Sequence, residues 1–384
     1  MFPPPRPRTA DARRPVMAPF FARVLAAGLA LGLGATLSFA QTQPARSAPT
    51  RPTAAPEWPT TRLYGADYVD LREVARRYGY TAAWAVTGKI MHLSDRGGVR
   101  LRFEDRERDF RHDGLRIFMS TVVVSERDTL WVGKSDVTTL LAPLLRPADF
   151  LAKLPPAPPK LIVLDPGHGG TDPGKQNPRL RLNEKDMTLD VAKRLKPLLE
   201  KAGYRVKLTR ETDRRFSNNP AVDLQMRADF ANDAGAELFV SIHFNAVEPR
   251  DAPRVTGTET YVMPPPGVLS TADERADTMT NRTYPGNRHD TANVLLGAHL
   301  HRRFIAGIGQ SDRGYKRARF AVLRFVECPA VLIEAAYLSN DTEAAKVGTV
   351  AFRQKVAEAI AQGIGDYAAQ IAGLRAPPPP AGTK

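Results

Sequence analysis

From Lys160 onward the chain alternates continuously apolar runs with amphipathic ones, and that rhythm confines it to layers of helix on sheet. Leu161-Ile162-Val163-Leu164 is an unbroken apolar run, as a strand buried on both faces requires. Residues 204–208, 238–242, 258–263, 320–324 and 331–334 read as further strands. Between the first two, Asn183 stands at an N-cap. Met187, Val191, Leu195, Leu198 and Leu199 form one stripe, and Gly203 closes the helix. Further helices are predicted at 223–231, 291–305 and 341–372. The expected class is α/β: a twisted mixed sheet flanked by helices over residues 160–372, preceded by a small α+β domain.

That smaller domain covers residues 61–147. Its first helix starts at Tyr68-Val69-Asp70-Leu71 and ends at Gly79. Short strands are predicted at 83–86, 90–93, 100–103, 117–119 and 129–132, with glycine-marked turns between them. A second helix at 134–145 closes the unit, and a Pro-rich linker at 148–159 separates it from the larger domain. Its His92 and His112 read as surface or strand residues, not metal ligands. Residues 41–60 and 373–384 read as disordered.

Residues 1–40 read as an export signal. Arg23 precedes an apolar run from Val24 to Leu37 that is short for a bilayer span, and Ser38-Phe39-Ala40 makes a small-x-small cleavage site. Arg13-Arg14 leaves Sec and twin-Arg export both open. The expected location is the periplasm or cell wall, with no stable membrane insertion after signal removal. The single cysteine, Cys328, cannot form an intramolecular disulfide, so an exported chain like this depends on its core and on metal.

The formal charge is +14. The first 40 residues carry Arg6, Arg8, Arg13, Arg14 and Arg23 against Asp11, so their removal takes away only about four charges. The remaining excess suits an acidic partner such as nucleic acid, an anionic membrane or an anionic wall polymer. No basic block with interleaved aromatics is present, and no nucleic-acid partner is expected.

Four acid or imidazole side chains end predicted strands or begin a helix. His168 follows the first strand and is flanked by Pro166-Gly167 and Gly169-Gly170, where glycines let the backbone turn sharply. Glu184 falls in the first turn of its helix, and His243 ends a buried strand, where α/β sheets place ligands. Glu334 ends Val331-Leu332-Ile333, where a carboxylate is costly without a cation or a task. Two imidazoles and a carboxylate leave one open position on a tetrahedral zinc, and a further carboxylate can then serve as general base. His299 and His301 lie two apart on a helix and make a poor pair of ligands. Residues 264–290 are polar and irregular. They are expected to form a lid in which Asp273, Glu274 or Asp277 reaches the metal.

Asp165-Pro166-Gly167-His168-Gly169-Gly170, Glu184-Lys185-Asp186, Ser241-Ile242-His243-Phe244-Asn245 and Leu332-Ile333-Glu334-Ala335-Ala336-Tyr337 resemble the zinc-dependent N-acetylmuramoyl-L-alanine amidases of the type 3 family. The resemblance covers about residues 160–371 and departs only at Ala336, a position often held by Gly. It implies one Zn²⁺ on His168, Glu184 and His243 and a catalytic Glu334; Asn245 is a candidate substrate contact. It also implies peptidoglycan as substrate, cut between N-acetylmuramic acid and L-Ala, and an activator or division-associated partner. Two other readings stay open: a zinc peptidase cutting within the stem peptide, and an inactive wall-binding protein. Residues 61–147 loosely resemble the copper-amine-oxidase N-terminal-like domain, which implies no copper.

Overall fold

The computed structural model of the chain describes residues 57–271 and 281–376. The 1–40 signal, most of the 41–60 linker, and Asp273, Glu274 and Asp277 lie outside the described residues.

An eleven-stranded sheet runs in the order Arg205–Leu208, Leu161–Pro166, Leu238–Asn245, Ala330–Tyr337, Thr258–Val262, Asp312–Arg317, Leu115–Phe118, Asp109–His112, Gly98–Glu104, Ile90–Asp95 and Thr81–Val86. The first four strands are parallel. Thr258–Val262 then runs antiparallel to Ala330–Tyr337, which makes the sheet mixed, as expected. A second, four-stranded sheet joins Thr61–Leu63, Ala66–Asp70, Thr129–Gly133 and Val124–Glu126.

Alternation along the central strands sorts their side chains onto two buried faces. Ile162, Leu164, Val240, Ile242, Phe244, Val331 and Ile333 join one core with the helices Glu184–Lys201, Asp290–Gly307 and Val350–Arg375. Val163, Phe239 and Leu332 face the other way, against the helices Pro220–Asp233 and Ala321–Arg324. His243 keeps the parity of Phe239, and Glu334 that of Leu332, so both fall on this second face. Each buried Val, Leu or Ile contributes roughly 1.5–3 kcal/mol, which penalises any slip. A one-residue slip of Leu238–Asn245 would send His243 into the first core and Ile242 into the second face.

Several expectations need correction. Tyr68-Val69-Asp70 ends a strand; the helix starts at Leu71, and the Asp70 carboxylate caps it by accepting from the Arg72 amide at 2.8 Å. The short apolar run at 320–324 is the helix Ala321–Arg324, because such runs look alike in helix and strand. The strand on that side is Asp312–Arg317, whose charged side chains hid it. The terminal helix is two, Asp341–Val347 and Val350–Arg375, broken where the Thr349 hydroxyl accepts from the Phe352 amide. The Pro-rich stretch is partly a 3-10 helix, Pro147–Lys153. The Arg375 guanidinium fastens it by donating to the carbonyls of Leu151, Leu154 and Pro155.

The N-terminal strands are not a detached layer. Leu115–Phe118 pairs in parallel with Asp312–Arg317 at Ile117 and Tyr315, so its meander extends the larger sheet. Asp136 and Arg317 form a buried ion pair across the same junction, with Nη2 2.5 Å from Oδ1.

Candidate active site

The site begins with a strained loop. His168 has φ +63°, a left-handed backbone that non-glycine residues seldom adopt. Two buried arginines hold it there by donating to the loop's carbonyls. Arg210 reaches Pro166 and Gly167, at 3.0 and 2.9 Å. Arg227 reaches Pro166 and His168, at 3.0 and 2.7 Å. Arg227 also pairs with Asp165 at 2.9 Å, and Asp165 accepts from the hydroxyls of Thr209 and Ser241. Burial would raise the Asp165 carboxyl, but the Arg227 charge and these hydrogen bonds hold it below its usual range. Strain at a site over-determined in this way marks a functional loop.

His168, Glu184 and His243 converge: each offers one ligand atom, and the three atoms lie within 4.8 Å of one another. Among the described residues this is the one such group of three or more. Glu184 Oε1 lies 3.1 Å from His168 Nε2 and 3.0 Å from His243 Nδ1. The other His168 nitrogen, Nδ1, lies 2.9 Å from Asp172 Oδ2, a contact that orients the ring. The backbone amides of Phe244 and Lys175 donate to the two Glu184 oxygens, at 3.0 and 2.8 Å. Burial would raise the Glu184 carboxyl, but the two imidazoles hold it well below the usual range. Burial would lower His168, but hydrogen bonds and charge from Glu184 and Asp172 push it up to about 9.

Glycine makes room for this cluster. A Cβ on Gly167 would overlap the His243 ring, and one on Gly174 would lie 2.6 Å from His168 Cδ2 and 2.7 Å from Glu184. Gly167→Ala is therefore expected to displace His243 and weaken metal binding about 10–100-fold, the range typical of disturbed ligand supports. Metal titration of the purified variant checks this; wild-type affinity would show that the ring yields freely.

Glu334 stands directly across from His243 in the parallel register and across from Glu259 on its other side. Its Oε2 is buried without a hydrogen-bond partner. Burial, with the charges of Glu184 and Glu259, pushes its carboxyl well above the ordinary value. Glu259 is not a rival base. It is 2% exposed and is committed to Lys316, Arg313, Tyr337 and Tyr261 at 2.7, 3.0, 2.9 and 2.5 Å. Asn245 lines the cleft, yet its amide donates to Glu259 at 2.8 Å and its carbonyl accepts from the Ala246 amide at 2.7 Å. The cleft, about 460 Å³, brings His168, Glu184, His243 and Glu334 together with an apolar wall of Leu224, Phe320 and Val322. His299 and His301 turn to separate partners, Gln370 and the Thr260–Asp312 pair.

Sequence reasoning gave no role to Asp172 or to Glu259. Asp172 precedes Pro173-Gly174, an ordinary turn signal that conceals its hold on His168.

Fold and site together define an α/β hydrolytic enzyme with its centre at the carboxyl ends of its central parallel strands. Residues 162–366 match the family Amidase_3, N-acetylmuramoyl-L-alanine amidase, and the chain belongs to that family. It is 31% identical over 229 residues to N-acetylmuramoyl-L-alanine amidase AmiA of Escherichia coli (strain K12), covering 54% of this chain and 76% of that one. It is 33% identical over 227 residues to amidase AmiC of Neisseria meningitidis serogroup B, of which it spans about half (52%, against 54% of this chain). A solved catalytic domain of the amidase CwlV from Bacillus (Paenibacillus) polymyxa var. colistinus is 30% identical. It aligns with a TM-score of 0.43 over 54% of this chain and 97% of that one.

Proposed function

We propose that this protein is a peptidoglycan hydrolase that cleaves the amide bond between N-acetylmuramic acid and the L-Ala of the stem peptide, with one Zn²⁺ held by His168, Glu184 and His243. The observation that carries the reading is the convergence of those three ligand atoms within 4.8 Å, beside the partnerless Glu334 Oε2. Two imidazoles and a carboxylate are a hydrolytic zinc set, and the orphaned oxygen suits a base awaiting a proton. Zinc, when bound, supplies Lewis acidity toward the amide carbonyl and acidifies water.

The chain's own groups supply the rest. Glu334 takes the proton of the attacking water and returns it to the leaving nitrogen. Asp172 and the Phe244 and Lys175 amides keep the ligands in place. Residues 61–147 act as an accessory region that helps hold the enzyme at the wall and contributes no catalytic group. Residues 1–40 direct export to the periplasm or cell wall. Among the described residues, no helix is long and apolar enough to cross a membrane.

Digestion of purified sacculi tests the reaction. The expected products are peptides that begin with free L-Ala and glycan strands stripped of peptide. L-Ala left on muramic acid would instead identify a peptidase that cuts within the stem. Absence of any product from metal-loaded protein would identify a binding protein.

A further inference from the structure

The metal cleft continues into a second one of about 460 Å³, lined by Lys175, Asn177, Arg179, Val247, Pro253 and Asp341 among others. The two adjoin on both sides. Lys175 lines both, and the consecutive residues Ala246 and Val247 line the first and the second respectively. A chain leaving the metal along this wall must pass Lys175.

Lys175 is held in a fixed place but its charge is uncommitted. Its amide donates to Glu184 Oε2 at 2.8 Å, and its carbonyl accepts from the Glu184 amide at 2.9 Å. The backbone is thus tied to the carboxylate proposed to bind zinc. Lys175 is half-buried as a residue, and its ammonium makes no hydrogen bond or ion pair with any described residue. The other charges of the second cleft are satisfied within it. Arg179 pairs with Asp341 at 2.9 Å, and Asp341 also accepts from the Asn177 amide at 2.9 Å. The cleft therefore presents one unspent positive charge, next to the metal cleft.

We propose that the second cleft takes the peptide side of the substrate, and that Lys175 binds the free carboxylate of its acidic second residue. This rests on the amidase reading above. The muramoyl side of the scissile bond carries no charge, whereas the stem peptide carries carboxylates, so the cationic cleft selects the peptide. The apolar wall of Leu224, Phe320 and Val322 in the first cleft is left for the sugar and its lactyl group.

The test compares N-acetylmuramoyl-tripeptides in which an acidic second residue is joined to the third through its side-chain carboxyl and carries its α-carboxylate either free or amidated. Wild-type enzyme should favour the free acid by about tenfold in kcat/KM, the low end for a hydrogen bond to a charged group, since this one is partly exposed to solvent. The difference should lie mainly in KM. Lys175→Met keeps both backbone hydrogen bonds and should bring the ratio to about one; Lys175→Arg should preserve it. Independently of any variant, the wild-type preference should shrink between about 0.1 M and about 1 M salt, as the Debye length falls from ~10 Å to ~3 Å. A wild-type enzyme that cleaves both substrates equally would overturn the subsite alone, as would a preference that survives in Lys175→Met. A wild-type enzyme that releases peptide from neither would overturn the amidase reading and the subsite with it.

Discussion

Glu334→Gln is expected to retain the metal and to lose turnover by about 10²–10⁴-fold, the usual contribution of a general acid–base group. The substitution keeps the volume and removes the site's proton acceptor. It also removes a carboxyl that burial and the neighbouring charges of Glu184 and Glu259 push upward, so the fold has no reason to resist the change. Ala at His168, Glu184 or His243 should behave differently, losing bound metal and activity together. Metal content and turnover on a soluble muramoyl-peptide, measured on the same preparations, separate the two patterns. Glu334 would have to be reassigned if Glu334→Gln turned over near the wild-type rate, or if it lost its metal as the triad variants do.

Glu334 and His243 were readable because each interrupts a strong local pattern, whereas Glu184, an acid in the first turn of a helix, breaks none and was readable only with the rest of the set. A carboxylate after Val331-Leu332-Ile333 or an imidazole after Val240-Ser241-Ile242 has no cheap place in a buried strand, so chemistry is the economical explanation. Strand parity then carries His243 and Glu334 to one face without further information. Lys175, Asp172 and Glu259 break no pattern: a lysine in a polar loop, an aspartate before Pro-Gly, and a glutamate in an alternating strand all look ordinary. Their roles arise from contacts between segments far apart in the chain, such as Glu259 with Lys316 and Tyr337, which local periodicity does not encode. The Asp312–Arg317 strand was missed for a related reason. Its Lys316 and Arg317 look solvent-facing by composition, but both meet buried acids, Glu259 and Asp136, supplied by other strands and helices.

That same strand sets the largest expected effect on stability. Asp136→Ala should cost about 3–5 kcal/mol, the range for removing one partner of a buried ion pair. Arg317 is 1% exposed, and without Asp136 its guanidinium retains the Thr139 hydroxyl at 3.0 Å, while its Nε already lacks a partner. Asp136 also accepts from the amides and hydroxyls of both Ser120 and Thr121, at 2.8–3.0 Å, and those donors would be stranded too. The reciprocal change should be milder. Arg317→Met leaves Asp136 with four hydrogen bonds, and the Asp136→Leu/Arg317→Met pair removes both charges and should recover part of the loss. Urea unfolding of the three proteins gives the order directly; a loss below about 1 kcal/mol in Asp136→Ala would show that water or neighbouring groups replace the carboxylate. Against a total stability of about 5–15 kcal/mol, the expected loss is a large share. It follows that residues 61–147 cannot be removed without consequence for the amidase layer. Cutting the chain before Pro158 strands Arg317 as Asp136→Ala does, and it also bares the edge of Asp312–Arg317 that Leu115–Phe118 covers.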